Sequence, residues 1–143
     1  MNKDSYHAQP VSWPEFKTVL AEIREQVFVK EQNVPLALEL DEHDERCYHL
    51  LAIDQHGSAV GTARLLQDGH IGRMAVLAQH RGKGIGSLLL NHLIKMAKTK
   101  GMVCVFLNAQ TQAIGFYEKH HFHVVGEEFT DAGIPHVRMQ RQL

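Results

Sequence analysis

A chain of 143 residues, 44% of them hydrophobic, is long enough to bury a core and predicts one domain over 1–143. Its 15 Lys and Arg nearly balance its 16 Asp and Glu, so a large basic footprint for nucleic acid is not expected. No apolar run approaches a membrane span and the polar opening MNKDSYHAQ has no apolar leader core, which together predict a soluble, cytoplasmic protein without a membrane partner.

Residues 12–32 predict a helix: Ser12 can cap it, Glu15 completes a capping box, and Phe16, Val19, Leu20, Ile23 and Val27 share one face. It should end near Asn33, ahead of Pro35. From Pro35 to Arg46 the chain is acidic and without a period, as in a solvated loop, although acidic walls would also suit an amine ligand. Cys47–Asp54 and Ser58–Leu66 read as an antiparallel hairpin turned by Gln55, His56 and Gly57. A second turn at Asp68 and Gly69 leads into a third strand from Ile71 to Leu77. A long helix follows from about Gly84 to Lys100, with Ile85, Leu88, Leu89, Leu93, Met96 and Ala97 on its apolar face and Gly101 as its cap. Val103–Leu107 predicts a strand buried on both faces and ended by Asn108. Residues 111–120 suggest a short helix, and Val124–Phe129 with His136–Gln142 a closing hairpin about Gly133 and Pro135. Cys47 and Cys104 both lie in apolar strand-like runs and are expected to be buried free thiols, since two cysteines make a poor disulfide framework.

Between the third strand and the long helix lies RGKGIG, Arg81 to Gly86. A strand that delivers a glycine-rich turn to a helix start makes an anion site, because the first amides of the helix have no internal partners. Gly82, Gly84 and Gly86 permit close approach and positive φ, while Arg81 and Lys83 add positive charge. A phosphorylated ligand is the natural occupant. The turn lacks the lysine of a GxxxxGK[ST] loop, and its third glycine comes one residue early for GxGxxG. His120, His121 and His123 lie close together, but no HExxH or second ligand cluster accompanies them, and no metal is expected.

RGKGIG does match Arg/Gln-x-x-Gly-x-Gly/Ala, the pyrophosphate loop of the GNAT superfamily of acetyl-CoA-dependent N-acetyltransferases. The chain resembles that superfamily from end to end, and within it the ElaA-like branch. The resemblance is carried by VFVKEQNVP (Val27 to Pro35), LDEHD (Leu40 to Asp44), Ala63 with Arg64, GRMAV (Gly72 to Val76), RGKGIG, NAQ (Asn108 to Gln110), Phe116 with Tyr117, and GIPHVRM (Gly133 to Met139). It implies an α/β (α+β) GNAT fold, in which a mixed, mostly antiparallel sheet is splayed at the cofactor site and carries helices on both faces. It implies acetyl-CoA as co-substrate, held by the backbone around Met74, Ala75 and Val76. The amides of Arg81, Gly82, Lys83, Gly84, Ile85, Gly86 and Ser87 would take the pyrophosphate, and Asn108 would bond the cofactor arm. The activity implied is transfer of acetyl to a primary amine of a small molecule, peptide or protein. An acyl-CoA-sensing module without turnover is the alternative, because a fold does not prove catalysis, but Asn108 and Tyr117 together favour the enzyme. A monomer or homodimer is expected.

Tyr117 matches the tyrosine that serves many GNAT enzymes as general acid beside the cofactor. Amine attack releases a thiolate whose conjugate acid has a pKa near ~8.5, and a phenol at ~10 still holds its proton at neutral pH. An amine of pKa ~10.4 must itself lose a proton before it attacks, so a base or a water chain is required. His136, Glu31, Asp41 and Glu128 are the candidates and would also line the acceptor site. His136 is favoured because the GIPH turn is shared with the branch and histidine titrates close to the working range. His121 stands where the family has glycine after the short helix, so a left-handed turn there would be strained.

Overall fold

The computed structural model describes residues 5–34 and 42–143. Its strands are β1 (His7–Val11), β2 (Tyr48–Ile53), β3 (Ala59–Leu65), β4 (Ile71–Val76), β5 (Cys104–Gln110), β6 (His123–Val124), β7 (Phe129–Asp131) and β8 (Ile134–Gln142). They form two antiparallel sheets, one in the order β1-β2-β3-β4 and the other β5-β8-β6 with β7 also paired to β8. The meander of β2, β3 and β4 follows the sequence expectation. β1 was hidden in the polar opening because an edge strand needs to bury only part of its surface.

The sheets join at one parallel contact, His70 with Phe106, where the Phe106 amide donates to the Gly69 carbonyl at 3.0 Å. Gly69 makes that approach possible: its φ is +97°, and a Cβ there would lie 2.6 Å from the Cys104 carbonyl oxygen. Beyond this contact, among the described residues, β4 pairs only with β3 and β5 only with β8, so a wedge opens between the two strands. The mixed, mostly antiparallel and splayed sheet implied by the resemblance is therefore present.

Helices cover both faces of the first sheet. α1 (Trp13–Arg24) sets Trp13, Leu20 and Ile23 against Leu51 and Ala75, whereas α2 (Ile85–Thr99) buries Ile85, Leu89, Leu93 and Ala97 among Leu50, Ala52, Val60 and Ala63. Strand alternation explains why Leu50 and Leu51 feed opposite cores. Leu90 and Ile94 are also buried, while the expected Leu88 and Met96 sit half-buried on the flank. Each large side chain sealed in this way contributes roughly 1.5–3 kcal/mol.

Several local expectations give way to the geometry. Ser12 occupies the N-cap but makes no side-chain cap bond, so the expected capping box with Glu15 is not closed from its side. Past Arg24 the helix widens into π-helical turns, Glu25–Glu31, with the Gln32 amide bonded to the Val27 carbonyl at 3.2 Å. β5 runs through Asn108 to Gln110, and only Val105, Leu107 and Ala109 are buried, so one face is covered rather than two. Cys47 and Cys104 are free thiols, half-buried rather than fully buried. His121 does adopt the left-handed conformation, φ +68°, at a cost of about 1 kcal/mol that glycine would avoid.

Asp44, from the acidic stretch, is buried in an ionic cluster. Arg24, at the end of α1, donates through Nη1 and Nη2 to the Asp44 carboxylate at 2.8 and 3.0 Å, and Arg64 of β3 donates to the same carboxylate at 2.8 Å. Burial alone would raise the Asp44 pKa, but the bonds and charges of Arg24 and Arg64 outweigh it and hold the carboxyl below its ordinary range. His49 gives its Nε2 hydrogen to the Asp44 carbonyl at 2.8 Å and stacks on Trp13 with centroids 4.9 Å apart.

Candidate active site

The wedge between β4 and β5 is a cleft of about 490 Å³. Met74 comes from β4, Asn108 from β5, Tyr117 from α3 (Ile114–Lys119), His136 from β8, and Phe28 and Gln32 from the widened end of α1. Gln110 donates to Gln32 at 2.9 Å and braces the mouth. Met74, Asn108, Tyr117 and His136 are thus brought together from four separate elements.

β4 is bulged where it meets the cleft. Thr62 faces Ala75 and Arg64 faces Gly72, so Arg73 and Met74 share the space opposite Ala63. Arg73 has φ +48°, a conformation that non-glycine residues rarely adopt and that concentrates at functional sites. Arg73 lines the cleft and was not singled out from the sequence, because a bulge is a property of two paired strands.

Tyr117 packs edge-on against Phe116 and Phe122, with centroids 5.0 and 5.9 Å away. Desolvation pushes its phenol up to about 12, so the hydroxyl keeps its proton across the working range. His136 lies opposite Gln110 in the β5–β8 ladder, and its Nδ1 is 2.7 Å from the Ile134 carbonyl oxygen. A carbonyl only accepts, so Nδ1 carries hydrogen and Nε2 of the neutral ring has the lone pair.

At the glycine turn, Gly82 and Gly84 have φ of +76° and +82°, and a Cβ at either would meet no protein atom within 4 Å. Gly84 is the N-cap of α2 and supplies no side-chain cap, so the first amides of that helix have no partner within it. Gly86 differs: a Cβ there would touch the Phe116 ring at 3.4 Å, an ordinary packing contact. Ser87 spends its hydroxyl on His120 at 3.0 Å. The Arg81 guanidinium turns away from the loop to Glu31, with bonds of 2.8 and 2.9 Å, while its Nε holds the Val76 carbonyl at 2.9 Å.

Other expected residues sit elsewhere. Glu31 is engaged by Arg81 and does not line the cleft, and Glu128 is exposed between β6 and β7. Asp41 lies outside the described residues. His120 is spent on Ser87, and His121 and His123 are exposed. Asp44, Cys47 and His49 bring possible metal-binding atoms within 4.8 Å of one another. A cation there would face the guanidiniums of Arg24 and Arg64, both already on the Asp44 carboxylate, which makes the donor set a poor one.

A family model for the acetyltransferase (GNAT) domain matches residues 4–143. The chain belongs to the GNAT acetyltransferase family. It is 44% identical over 123 residues to the uncharacterized N-acetyltransferase YjcF of Bacillus subtilis, covering 83% of this chain and 87% of that one. Among solved structures it is similar to Escherichia coli ElaA, with a TM-score of 0.85, 28% identity, and coverage of 94% of this chain and 99% of the other. An acyl-CoA N-acyltransferase of Pseudomonas aeruginosa superposes with a TM-score of 0.86 at 28% identity, over 96% and 99% of the two chains. The chain is therefore a GNAT acyltransferase, and the family implies an acyl-CoA co-substrate. Its residues fit such a group. Open space borders the two positive-φ glycines, the first α2 amides are unspent within the helix, and among the described residues the β4 edge facing the wedge has no strand beside it. Among the described residues no helix is long and apolar enough to cross a membrane.

Proposed function

We propose that this GNAT enzyme moves acetyl from acetyl-CoA to a primary amine of a small molecule, peptide or protein. It would act in the cytoplasm as one domain over 1–143, as a monomer or homodimer and without metal. The convergence of Asn108, Tyr117, His136 and the bulged β4 edge in one cleft carries this reading. Acetyl-CoA supplies the acyl carbon, and as the carbon–nitrogen bond forms and the carbon–sulfur bond breaks, the amine loses a proton and the sulfur gains one. His136 takes the amine proton at Nε2, the lone-pair nitrogen left by its Nδ1 bond to Ile134. Tyr117 offers its retained hydroxyl proton to the developing thiolate. Asn108 would hydrogen-bond the cofactor arm, the Met74–Val76 edge would pair with it, and the amides of the Arg81–Ser87 loop would hold the pyrophosphate, although that of Arg81 is already bonded to the Ala78 carbonyl at 3.3 Å. Thiol release and acetylated product, measured together across an amine panel, test the reading; hydrolysis alone with every amine would overturn it.

Gly84→Val should abolish measurable acetyl-CoA binding in a folded protein. Valine at φ +82° is strained, and its side chain would enter the open space the pyrophosphate needs. Calorimetry with unchanged affinity would remove the loop from the site.

His136→Ala should lower kcat/KM for the acceptor and leave acetyl-CoA affinity unchanged. The variant removes the Nε2 lone pair that would accept the amine proton and leaves the glycine loop that would hold the cofactor untouched. A mutant with wild-type acceptor kinetics would show that His136 is not the base.

A further inference from the structure

Resting on the acetyltransferase reading, we propose that Glu31 and Gln32 are positioning residues that tie the two lips of the wedge together and so set the width of the cleft for the acceptor. Glu31 is the last residue of the π-helical turns and Gln32 their C-cap, and consecutive helix positions do not share a face. Glu31 reaches the β4 side. Its carboxylate accepts from Arg81 Nη1 and Nη2 at 2.8 and 2.9 Å, and Arg81 Nε donates to the Val76 carbonyl at 2.9 Å. Gln32 reaches the β5 side, where its side-chain oxygen accepts from Gln110 Nε2 at 2.9 Å. Val76 is the last residue of β4 and Gln110 the last of β5. The two bonds therefore meet the strands at the open end of the wedge, while the His70–Phe106 contact joins them near their starts.

The backbone around the tie is closed on itself. The amides of Gln32, Asn33 and Val34 donate to the carbonyls of Val27, Val29 and Phe28 at 3.2, 3.1 and 2.8 Å, and Asn33 turns the chain with φ +59°. The segment thus moves as a unit, and Phe28 and Val34, which line the cleft, follow what Glu31 and Gln32 hold. Gln110 is held in turn: it faces His136 in the β5–β8 ladder, and its side-chain oxygen accepts from Gln112. The separation between the Phe28 wall and the His136 ring is therefore set through these bonds. Stability is not what they supply. The Arg81 and Glu31 side chains are 44% and 31% exposed, and an ion pair so placed adds little to folding. A bidentate guanidinium–carboxylate pair does fix direction, which is what a positioning role needs.

The test measures Glu31→Ala, Gln32→Ala and the double variant with saturating acetyl-CoA and the fastest of four amines: butylamine, tyramine, 4-aminobutyrate and Nα-acetyl-lysine. Each single variant should raise acceptor KM by about three- to tenfold, with kcat within about twofold and Tm within about 3 °C of wild type. A tie cut at either end is cut, so the double variant should be no worse than the worse single one, whereas two independent contacts would multiply. Glu31→Gln keeps one bond to Arg81 and should fall between wild type and Glu31→Ala. Multiplied effects, an unchanged KM in Glu31→Ala, or a fall in its kcat that marks Glu31 as a catalytic group overturns the proposal. If no amine is acetylated, the acetyltransferase reading fails on its own. Hydrogen exchange then decides the tie: Gln110→Ala and Arg81→Gln should each speed exchange of the Gln32, Asn33 and Val34 amides, and unchanged exchange in either variant refutes it.

Discussion

Tyr117→Phe is expected to lower kcat by about 10²- to 10⁴-fold while acetyl-CoA affinity stays nearly constant. Phenylalanine keeps the edge contacts to Phe116 and Phe122, so the variant should fold and lose only the hydroxyl. With the phenol pushed up to about 12, full transfer to a thiolate of conjugate pKa ~8.5 is uphill, and the hydroxyl acts first as a hydrogen-bond donor to the charge that develops on sulfur. The same shift fixes the sign of its pH effect. An acid is lost as pH rises through its pKa, so Tyr117 should produce no alkaline fall in rate between roughly pH 7 and 10. Two results would sink the role: kcat within about twofold of wild type with a good acceptor, or an alkaline limb below pH ~10 that disappears in the variant.

Features with a local signature were legible in the sequence. α2 could be placed because its apolar period, its glycine start and Gly101 lie within one continuous stretch, and the β2–β3 hairpin because its turn residues sit between two apolar runs. The residues now gathered in the cleft were named through resemblance to a family, since Asn108, Tyr117 and His136 come from three elements and no spacing rule links them. What remained hidden depends on pairing across the fold. The Arg73 bulge exists only in the register of β3 against β4, and Arg81 finds Glu31 fifty positions away. Composition also misled at Asp44. A run of acidic residues reads as solvated surface, yet Asp44 within it is 2% exposed because two arginines, each twenty positions distant, meet it in the core.

Asp44→Ala should destabilise the fold by about 3–5 kcal/mol, because it removes a buried carboxylate that both guanidiniums bond in the core. At this chain length that corresponds to a fall in Tm of roughly 10 °C or more. Asp44→Asn keeps the shape and loses the charge, and it should cost nearly as much if charge is the cause. The pH dependence has a definite sign. The folded pKa of Asp44 is depressed, so its contribution is fully present above the unfolded value near ~3.9 and is lost as pH falls through the lower folded value. Wild type and Asp44→Asn should therefore differ at neutral pH and converge only in strong acid. Replacing Arg24, Asp44 and Arg64 together by apolar residues of similar volume should recover much of the loss, since a packed apolar core often equals a buried ion pair. Urea denaturation of the three variants measures all of this, and a loss below about 1 kcal/mol in Asp44→Ala would mean that the cluster is effectively solvated. The cluster also joins the last residue of α1 to Arg64 of β3, so its loss frees the π-helical turn that brings Phe28 and Gln32 to the cleft. Acceptor KM should consequently rise in Asp44→Asn even at temperatures where the protein remains folded, which a purely global destabilisation would not produce.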